Sequence, residues 1–331
     1  MNTSTHTPLA RIELLAGRLS LAVYAHEVHA QDGLVPCWTW VSQGFALEGH
    51  PELTLTIRRG LREPVEPFSQ DPAKLFGALW HRLHAVEGAL LQSGDVLALE
   101  PGEFLATDQW AAVGALPAMP LAQVPALDAN ALMLIALYKD EFELARDYGL
   151  SRVSARMGRD AGLFPSAPWL DRDRKSVAKN DRPERTVLGK CLRVTSRAGC
   201  VFVSDDCVQL ELPARAAEGL RAPLGELPED TALVLLLPHD PLADGVLVWQ
   251  PNDREITAIG AQDSRGTRVC GNFVALIHGQ PANGANPLED GFAVRTKDTE
   301  WQALRRALAA GQDWSLTATD ESLGFALRFV R

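Results

Sequence analysis

The residues best suited to chemistry are a few histidines and aspartates, and their spacing limits what they could bind. His26-Glu-Val-His29 can be compared with a zinc-protease motif, but that motif places its two histidines at i and i+4 of a helix. Here the histidines stand at i and i+3, with no third ligand nearby in the sequence. Asp171 and Asp173 have D-x-D spacing, a two-residue pattern that is too short to define a metal site. We therefore expect no metal and no cofactor.

The second half of the chain offers one candidate for acid–base catalysis. His239 and Asp240 follow a predicted buried strand, and loops in that position often carry catalytic residues. One interpretation is an enzyme whose site joins these two residues to His278, and the other is a simple turn capped by Asp240. The sequence has no G-x-S-x-G elbow, no G-x-x-x-x-G-K-[ST] loop and no G-x-G-x-x-G after a strand. The common hydrolase and nucleotide sites are therefore not indicated.

Residues 51–100 must supply much of the scaffold that positions such side chains. The apolar alternation of Leu53–Ile57 predicts a strand, and Val96–Leu99 predicts another. Between them, apolar residues at three- and four-residue spacing predict a helix from Asp71 to Ser93. Its apolar stripe comprises Leu75, Phe76, Leu79, Trp80, Leu83, Val86 and Leu90. His81 and His84 fall outside this stripe, so we expect them on a solvated face.

The remaining segments complete an α+β pattern. The spacing of apolar residues from Thr7 to His26 predicts an amphipathic N-terminal helix. Further predicted elements are strands at Cys37–Val41 and Leu132–Tyr138, a short helix ending near Gly149, a hairpin of Cys200–Val203 with Val208–Leu212, strands at Ala232–Leu237, Val246–Trp249, Glu255–Ile259 and Phe273–Ile277, and a strand–helix–strand unit from Gly291 to Leu316. This order predicts helices packed on mixed β-sheets in two domains, residues 1–184 and a β-rich 185–331.

Composition narrows the class of partner and the compartment. The chain has 331 residues and a formal net charge of −10, which argues against binding to nucleic-acid phosphates. No apolar run approaches the roughly 20 residues of a membrane span, and the start lacks the pattern of a signal peptide. We therefore expect a cytoplasmic protein that binds no membrane. Its five cysteines, an odd number without C-x-x-C spacing, fit a reducing compartment without structural disulfides.

Residues 151–185 form a cationic island, in which basic residues outnumber acidic ones in an otherwise acidic chain. Within it, residues 164–170 carry two prolines and two aromatic residues, a composition that cannot continue a helix. Two interpretations remain open for residues 164–175. They are an exposed recognition segment with Trp169 as its anchor, or an ordinary linker between the domains.

A series of short motifs, in this order, resembles the Suppressor of fused family over roughly residues 8–180. The motifs are Cys37-Trp-Thr-Trp-Val-Ser-Gln-Gly44, Glu52-Leu-Thr-Leu-Thr-Ile-Arg58, the long helix with Trp80, Ser93-Gly-Asp-Val96, and Pro168-Trp-Leu-Asp-Arg-Asp173. The C-terminal half shows no such match.

The resemblance implies a binding protein and no enzyme. Animal members of the family clasp a short peptide of a transcription factor between two lobes, and bacterial relatives are thought to include immunity proteins that neutralise toxins. On that resemblance, Asp173 matches a partner-contacting aspartate. We therefore expect another protein or peptide to bind at the following residues: Trp169, Asp171, Arg172, Asp173 and Arg174.

Overall fold

The computed structural model describes residues 7–30, 33–86, 89–105, 109–125, 127–179, 181, 183–227, 232–240, 242–260 and 267–330. The chain divides into two compact units, Met1–Glu143 with Ala167–Val177, and Leu144–Ser166 with Ala178–Arg331. This division is based on contacts and does not test which parts of the chain fold independently. The predicted domain boundary after residue 184 therefore stays a prediction. The predicted α+β class, with helices on mixed sheets, is confirmed.

The first unit is built on one mixed sheet whose strands have the order β1-β2-β3-β4-β7-β6-β5. Its strands are β1 (Ala10–Leu15), β2 (Leu19–Ala30), β3 (Gly33–Gln43), β4 (Leu53–Arg58), β5 (Val96–Ala98), β6 (Ala112–Pro117) and β7 (Leu132–Leu137). Neighbours are antiparallel except β4 and β7, which run parallel. Helix α1 (Asp71–Ala85), a short 3-10 helix (Phe45–Glu48) and helix α2 (Lys139–Tyr148) complete the elements up to residue 148. The boundary between the units falls within α2.

The predicted N-terminal helix is wrong, because residues 10–30 form the antiparallel hairpin of β1 and β2. A tight turn at Gly17, with φ of 65°, brings the amide of Arg18 to the carbonyl of Leu15 at 2.9 Å. In β2 the alternate residues Leu19, Leu21 and Val23 are buried in the core. Pairing with β3 along the length of β2 outweighs the local helical spacing, which this stretch also happens to satisfy.

Helix α1 begins where the sequence predicts but ends earlier. It starts at Asp71, with Pro72 in its first turn, and buries the predicted stripe as far as Leu83. Val86 already has extended backbone, with φ of −121° and ψ of 114°, and both Val86 and Leu90 are exposed. The buried stripe of α1 therefore ends at Leu83, and the predicted members Val86 and Leu90 do not belong to it. Residues 87 and 88 lie outside the described part of the chain.

The second unit contains two mixed sheets with the orders β13-β12-β14-β9-β10-β19-β18 and β16-β17-β15-β11-β8. Its helices are α3 (Leu150–Ala161), α4 (Val187–Lys190), α5 (Ala216–Glu226) and α6 (Asp298–Ala310), with a short 3-10 helix at Pro183–Arg185. The strands are β8 (Leu192–Thr195), β9 (Cys200–Ser204), β10 (Cys207–Pro213), β11 (Leu233–Leu236), β12 (Gly245–Val248), β13 (Thr257–Gly260), β14 (Val269–Gly271), β15 (Phe273–Ile277), β16 (Gly284–Leu288), β17 (Gly291–Arg295), β18 (Trp314–Leu316) and β19 (Gly324–Val330). Side chains of both sheets and of α5 and α6 share one apolar core.

The sequence predicted much of this unit. The hairpin of β9 and β10 is confirmed, with Asp205 at φ of 52° in its turn. The C-terminal strand–helix–strand order of β17, α6 and β18 is also confirmed. Its two strands belong to different sheets, whereas β4 and β5, the strands before and after α1 in the first unit, share one sheet. Helix α5 escaped prediction because Pro223 lies inside it.

No helix among the described residues is both long and apolar enough to cross a membrane. All five cysteines are free thiols.

Candidate functional site

The segment that carries the five predicted partner-binding residues, residues 169–174, runs beside β4 at the point where β4 and β7 separate. The two strands pair only at Leu53 and Thr54. Beyond that pair, the amide of Leu170 donates to the carbonyl of Thr56 at 2.8 Å, and the amide of Arg58 donates to the carbonyl of Leu170 at 2.9 Å. Leu170 is itself buried in the core. The chain therefore fills the gap in its own sheet, and the backbone of this segment is fixed.

Two of the predicted contact residues form ion pairs within the same unit. Asp171 accepts a hydrogen bond from Arg58 at 2.7 Å, and its other oxygen accepts one from the amide of Asp173 at 3.0 Å. Arg172 pairs with Glu63 and holds the pKa of that carboxyl below its usual value, against the opposing effect of burial. The charges of Asp171 and Arg172 thus help to fix the segment to β4 and to the loop that follows it.

Arg174 is the most firmly held of the predicted residues. Its guanidinium donates to both carboxylate oxygens of Glu141, at 2.5 and 2.6 Å, and to the carbonyl of Ala136 at 2.8 Å. It also lies over the rings of Tyr138 and Trp110, at 4.6 and 5.2 Å from the centroids. This arrangement makes Arg174 an anchor of the segment, with 16% of its side chain exposed.

Within the described part of the chain, Trp169 and Asp173 are the predicted contact residues that take part in no ion pair. Trp169 is half-buried, and Asp173 is exposed, as is the following Lys175. These three side chains lie on a backbone that the neighbouring contacts hold in place. The partner-binding role of all five residues stays a prediction.

The structure brings a second turn, Gly60–Glu63, against this segment, which sequence reasoning missed. Arg59 and Gly60 both bond to Glu63, which closes the turn, and Glu63 is also the partner of Arg172. Leu61 lies in this turn and is 85% exposed. We name residues 60–63 and 169–175 together the two-turn surface. The only sequence signal for it was the cluster of arginines at positions 58, 59 and 62.

The cationic island lies partly inside the second unit. Arg152 and Arg156 are each 1% exposed. Arg152 donates to Asp290 at 2.8 Å, and Arg156 donates to Asp181 at 2.5 Å. We name these four residues and Glu289, which lies 3.8 Å from Nη2 of Arg152, the arginine cluster. These two arginines of the island thus belong to the interior of a unit, where the sequence had indicated only a local excess of charge.

The residues of the enzyme interpretation do not come together in one site. Strands β11 and β15 are antiparallel, with Leu236 opposite Phe273 and Leu233 opposite Leu276. His239 and His278 therefore follow opposite ends of a paired stretch of about 10 Å. His278 stacks on Trp301, with 5.1 Å between the centroids.

His239 and Asp240 have structural partners at their own end of the pair. His239 bonds to Asn272 at 2.9 Å, and burial lowers its pKa to about 4. Asp240 accepts hydrogen bonds from the guanidinium of Arg268 and from the amide of Leu242. These contacts fit the capped-turn interpretation of Asp240.

The histidines that invited metal interpretations have other surroundings. His26 and His29 lie on β2, where an odd separation places side chains on opposite faces of the sheet. His26 is buried against Thr39 at 2.7 Å, and burial lowers its pKa. His81 is exposed as predicted, and the exposed His84 stacks on Trp80 with 4.2 Å between the centroids. Among the described residues, no group of three or more His, Cys, Asp or Glu side chains could hold a metal ion.

No protein-family model and no curated protein sequence matches this chain. Its fold is similar to a solved structure described as the crystal structure of Drosophila Suppressor of Fused. That match has 12% sequence identity and a TM-score of 0.40, and it covers 94% of this chain and 89% of the other. A second similar structure, described as the Sufu-Fu complex, has 16% identity and a TM-score of 0.41 and covers 52% of this chain and 85% of the other.

Proposed function

We propose that this chain is a non-enzymatic protein-binding module that contacts another protein or a peptide through the two-turn surface. The observation that carries the proposal is the rigid attachment of residues 169–175 to their own sheet, through the backbone of Leu170 and the ion pairs of Asp171, Arg172 and Arg174. A surface that is already ordered loses less conformational entropy on binding. A segment that is already ordered in this way is well suited to binding a partner protein.

The side chains that line this surface, including the half-buried Trp169 and the exposed Leu61, have the chemistry of a binding site. Trp169 and Leu61 can enter apolar pockets of a partner, and a tryptophan anchor provides much contact area with few rotatable bonds. Asp173 and Lys175 stand beside them as exposed charges, which set orientation and association rate more than affinity. We expect the apolar pair to carry most of the binding energy.

In its finer form, the proposal is that the partner is a toxin and that this chain is its immunity protein. This form rests on the motif series at residues 37–44, 52–58 and 168–173. Where a toxin gene lies beside the gene for this chain, the test is to produce that toxin in cells that do or do not contain this chain. Growth restored only by this chain supports immunity, and equal killing in both cells contradicts it.

The general proposal is tested with a pull-down from native lysate, followed by titration of the partner that it identifies. Trp169→Ala should weaken binding by about 2 kcal/mol or more, and Asp173→Ala should weaken it less. Leu61→Ser should also weaken binding, whereas Leu47→Ser, at a residue that is similarly exposed elsewhere, should not. Each variant is melted in parallel, and a melting temperature that collapses with Trp169→Ala would favour the linker interpretation.

A further inference from the structure

The arginine cluster contains an unusual concentration of unpaired hydrogen-bonding groups. Nε and Nη2 of Arg152, Nη2 of Arg156 and Oε2 of Glu289 are buried and have no hydrogen-bond partner within the described part of the chain. Buried polar groups in folded proteins are almost always paired, and an ordered water or a bound ion commonly pairs those that no protein group reaches. Three unpaired donors and one unpaired oxygen in one cluster therefore indicate that something else binds there.

Helix α3 accounts for how the donors come together. Arg152 and Arg156 are four residues apart, so their side chains lie on the same face of the helix, one turn from each other. Each uses its Nη1 for an aspartate, Asp290 or Asp181. Arg152 keeps its Nε and Nη2 edge, a planar pair of N–H groups that matches the two oxygens of a carboxylate or a similar planar anion.

The net charge of the cluster stays the same when an anion binds, provided that Glu289 takes up a proton at the same time. Two arginines, two aspartates and an ionised Glu289 carry a formal charge of −1. A protonated Glu289 together with one bound monoanion carries the same charge, so the anion replaces the charge that the carboxylate loses. Oε2 of Glu289 would then carry a hydrogen and become a fourth donor to the ligand.

We propose that the arginine cluster binds a small planar monovalent oxyanion, of the carboxylate or nitrate type, together with one proton on Glu289. The anion accepts hydrogen bonds from the Nε and Nη2 edge of Arg152, from Nη2 of Arg156 and from the protonated carboxyl. Glu289 has 12% of its side chain exposed, against 1% for Arg152, so the proton and the anion enter from its side of the cluster.

The surroundings of Glu289 are consistent with this uptake of a proton. Burial raises its pKa, while the amide of Val187 and the charge of Arg152 oppose that effect, and Asp290 and Asp181 add to it. The thiol of Cys191 also interacts with this carboxyl. Burial is the largest of these effects, and it favours the neutral carboxyl.

The test uses nitrate as the probe, because nitrate does not titrate between pH 5 and 8, with chloride at equal ionic strength as the control. Nitrate should raise the melting temperature of the full chain more than chloride does. Its affinity, measured by calorimetry, should strengthen about tenfold for each unit of falling pH while Glu289 is ionised in the free protein, because one proton is taken up with each anion. Equal effects of nitrate and chloride across this range would overturn the proposal.

Two variants make the test specific to the cluster. Glu289→Gln supplies a neutral amide donor at all pH values, so it should bind nitrate at pH 8 and lose the pH dependence. Arg152→Lys keeps the charge but removes the planar edge, so its nitrate affinity should fall at least tenfold. If Arg152→Lys fails to fold, Glu289→Gln still decides, since an unchanged pH slope in that variant would contradict the proposal. A crystal structure grown with formate that shows only ordered water at the cluster would also contradict it.

Discussion

The carboxylate of Glu141 has no exposed side-chain surface, and both of its oxygens accept hydrogen bonds from the guanidinium of Arg174. The same carboxylate accepts hydrogen bonds from the backbone amides of Tyr138 and Val177, each at 2.9 Å. Glu141 therefore joins the end of β7, the start of α2 and the chain that follows the two-turn surface. Removing its cationic partner would leave a buried and uncompensated charge.

Arg174→Ala should lower the free energy of unfolding by about 3–5 kcal/mol, because it leaves Glu141 buried without its cation. Lys175→Ala, at the exposed next residue, should change it by less than about 0.5 kcal/mol. Urea titrations of the two variants and the parent chain measure both values. A cost for Arg174→Ala as small as that for Lys175→Ala would mean that this anchor is unimportant for stability.

Leu83→Ala should cost about 2–5 kcal/mol, because Leu83 packs in the core of the first unit and the substitution leaves a cavity. His81→Ala, two residues earlier on the exposed face of α1, should have almost no effect on stability. Thermal and chemical unfolding of both variants provide the measurement. Comparable losses at the two positions would show that the apolar face of α1 is wrongly assigned.

His239 should make the protein less stable as the pH falls from about 6.5 towards 4. Burial lowers the pKa of His239 from 6.5 to about 4, so in this window the unfolded chain binds a proton that the folded chain does not. This contribution is fully present above pH 6.5, and its loss is complete below pH 4. In His239→Asn the melting temperature should depend less on pH between these limits than in the parent chain. A pH dependence in His239→Asn as steep as that of the parent chain would contradict the burial of this imidazole.

The five thiols should differ in their reactivity with iodoacetamide at pH 8. Burial raises the pKa of Cys37, Cys200 and Cys270 to about 12, so almost no thiolate is present at these positions. Cys191 and Cys207 are half-buried and also have raised pKa values, but they are more accessible. Mass spectrometry should find alkylation first at these two, and at the other three only after unfolding. Early modification of Cys270 would contradict the burial of β14.

The short motifs in the first half have a structural role that spacing could not reveal. Oε1 of Glu52 accepts hydrogen bonds from the amides of Gly44 and Ala46, at 2.8 and 3.1 Å. Its other carboxylate oxygen accepts a hydrogen bond from the hydroxyl of Ser42. The hydroxyl of Ser42 in turn accepts the amide of Leu53 at 2.7 Å. The Ser-x-Gly and Glu-Leu-Thr motifs are thus the two sides of one connection between β3 and β4.

Periodicity predicted helices and strands well where one face of the element is buried. It failed where pairing with a distant strand determines the secondary structure. Helix α1 and the hairpin of β9 and β10 were predicted from local pattern alone. The hairpin of β1 and β2 was not, because its stability comes from β3, whose pairing partners are invisible in the local spacing. In the same way, the sequence showed the charges of Arg152 and Arg156 but not their burial, which depends on residues distant in the sequence, such as Asp290 for Arg152 and Trp249 for Arg156.

The parallel pairing of β10 with β19 limits when the second unit can be completed during synthesis. Residues 207–213 bond to residues 324–330, and β19 lies between β10 and β18 in the sheet. A ribosome must therefore make more than 100 further residues before one edge of β10 finds its partner, although the hairpin with β9 can form at once. Until then the apolar residues Val208, Leu210 and Leu212 lack one neighbouring strand. We expect the nascent chain to be most prone to aggregation, and most dependent on chaperones, during this interval.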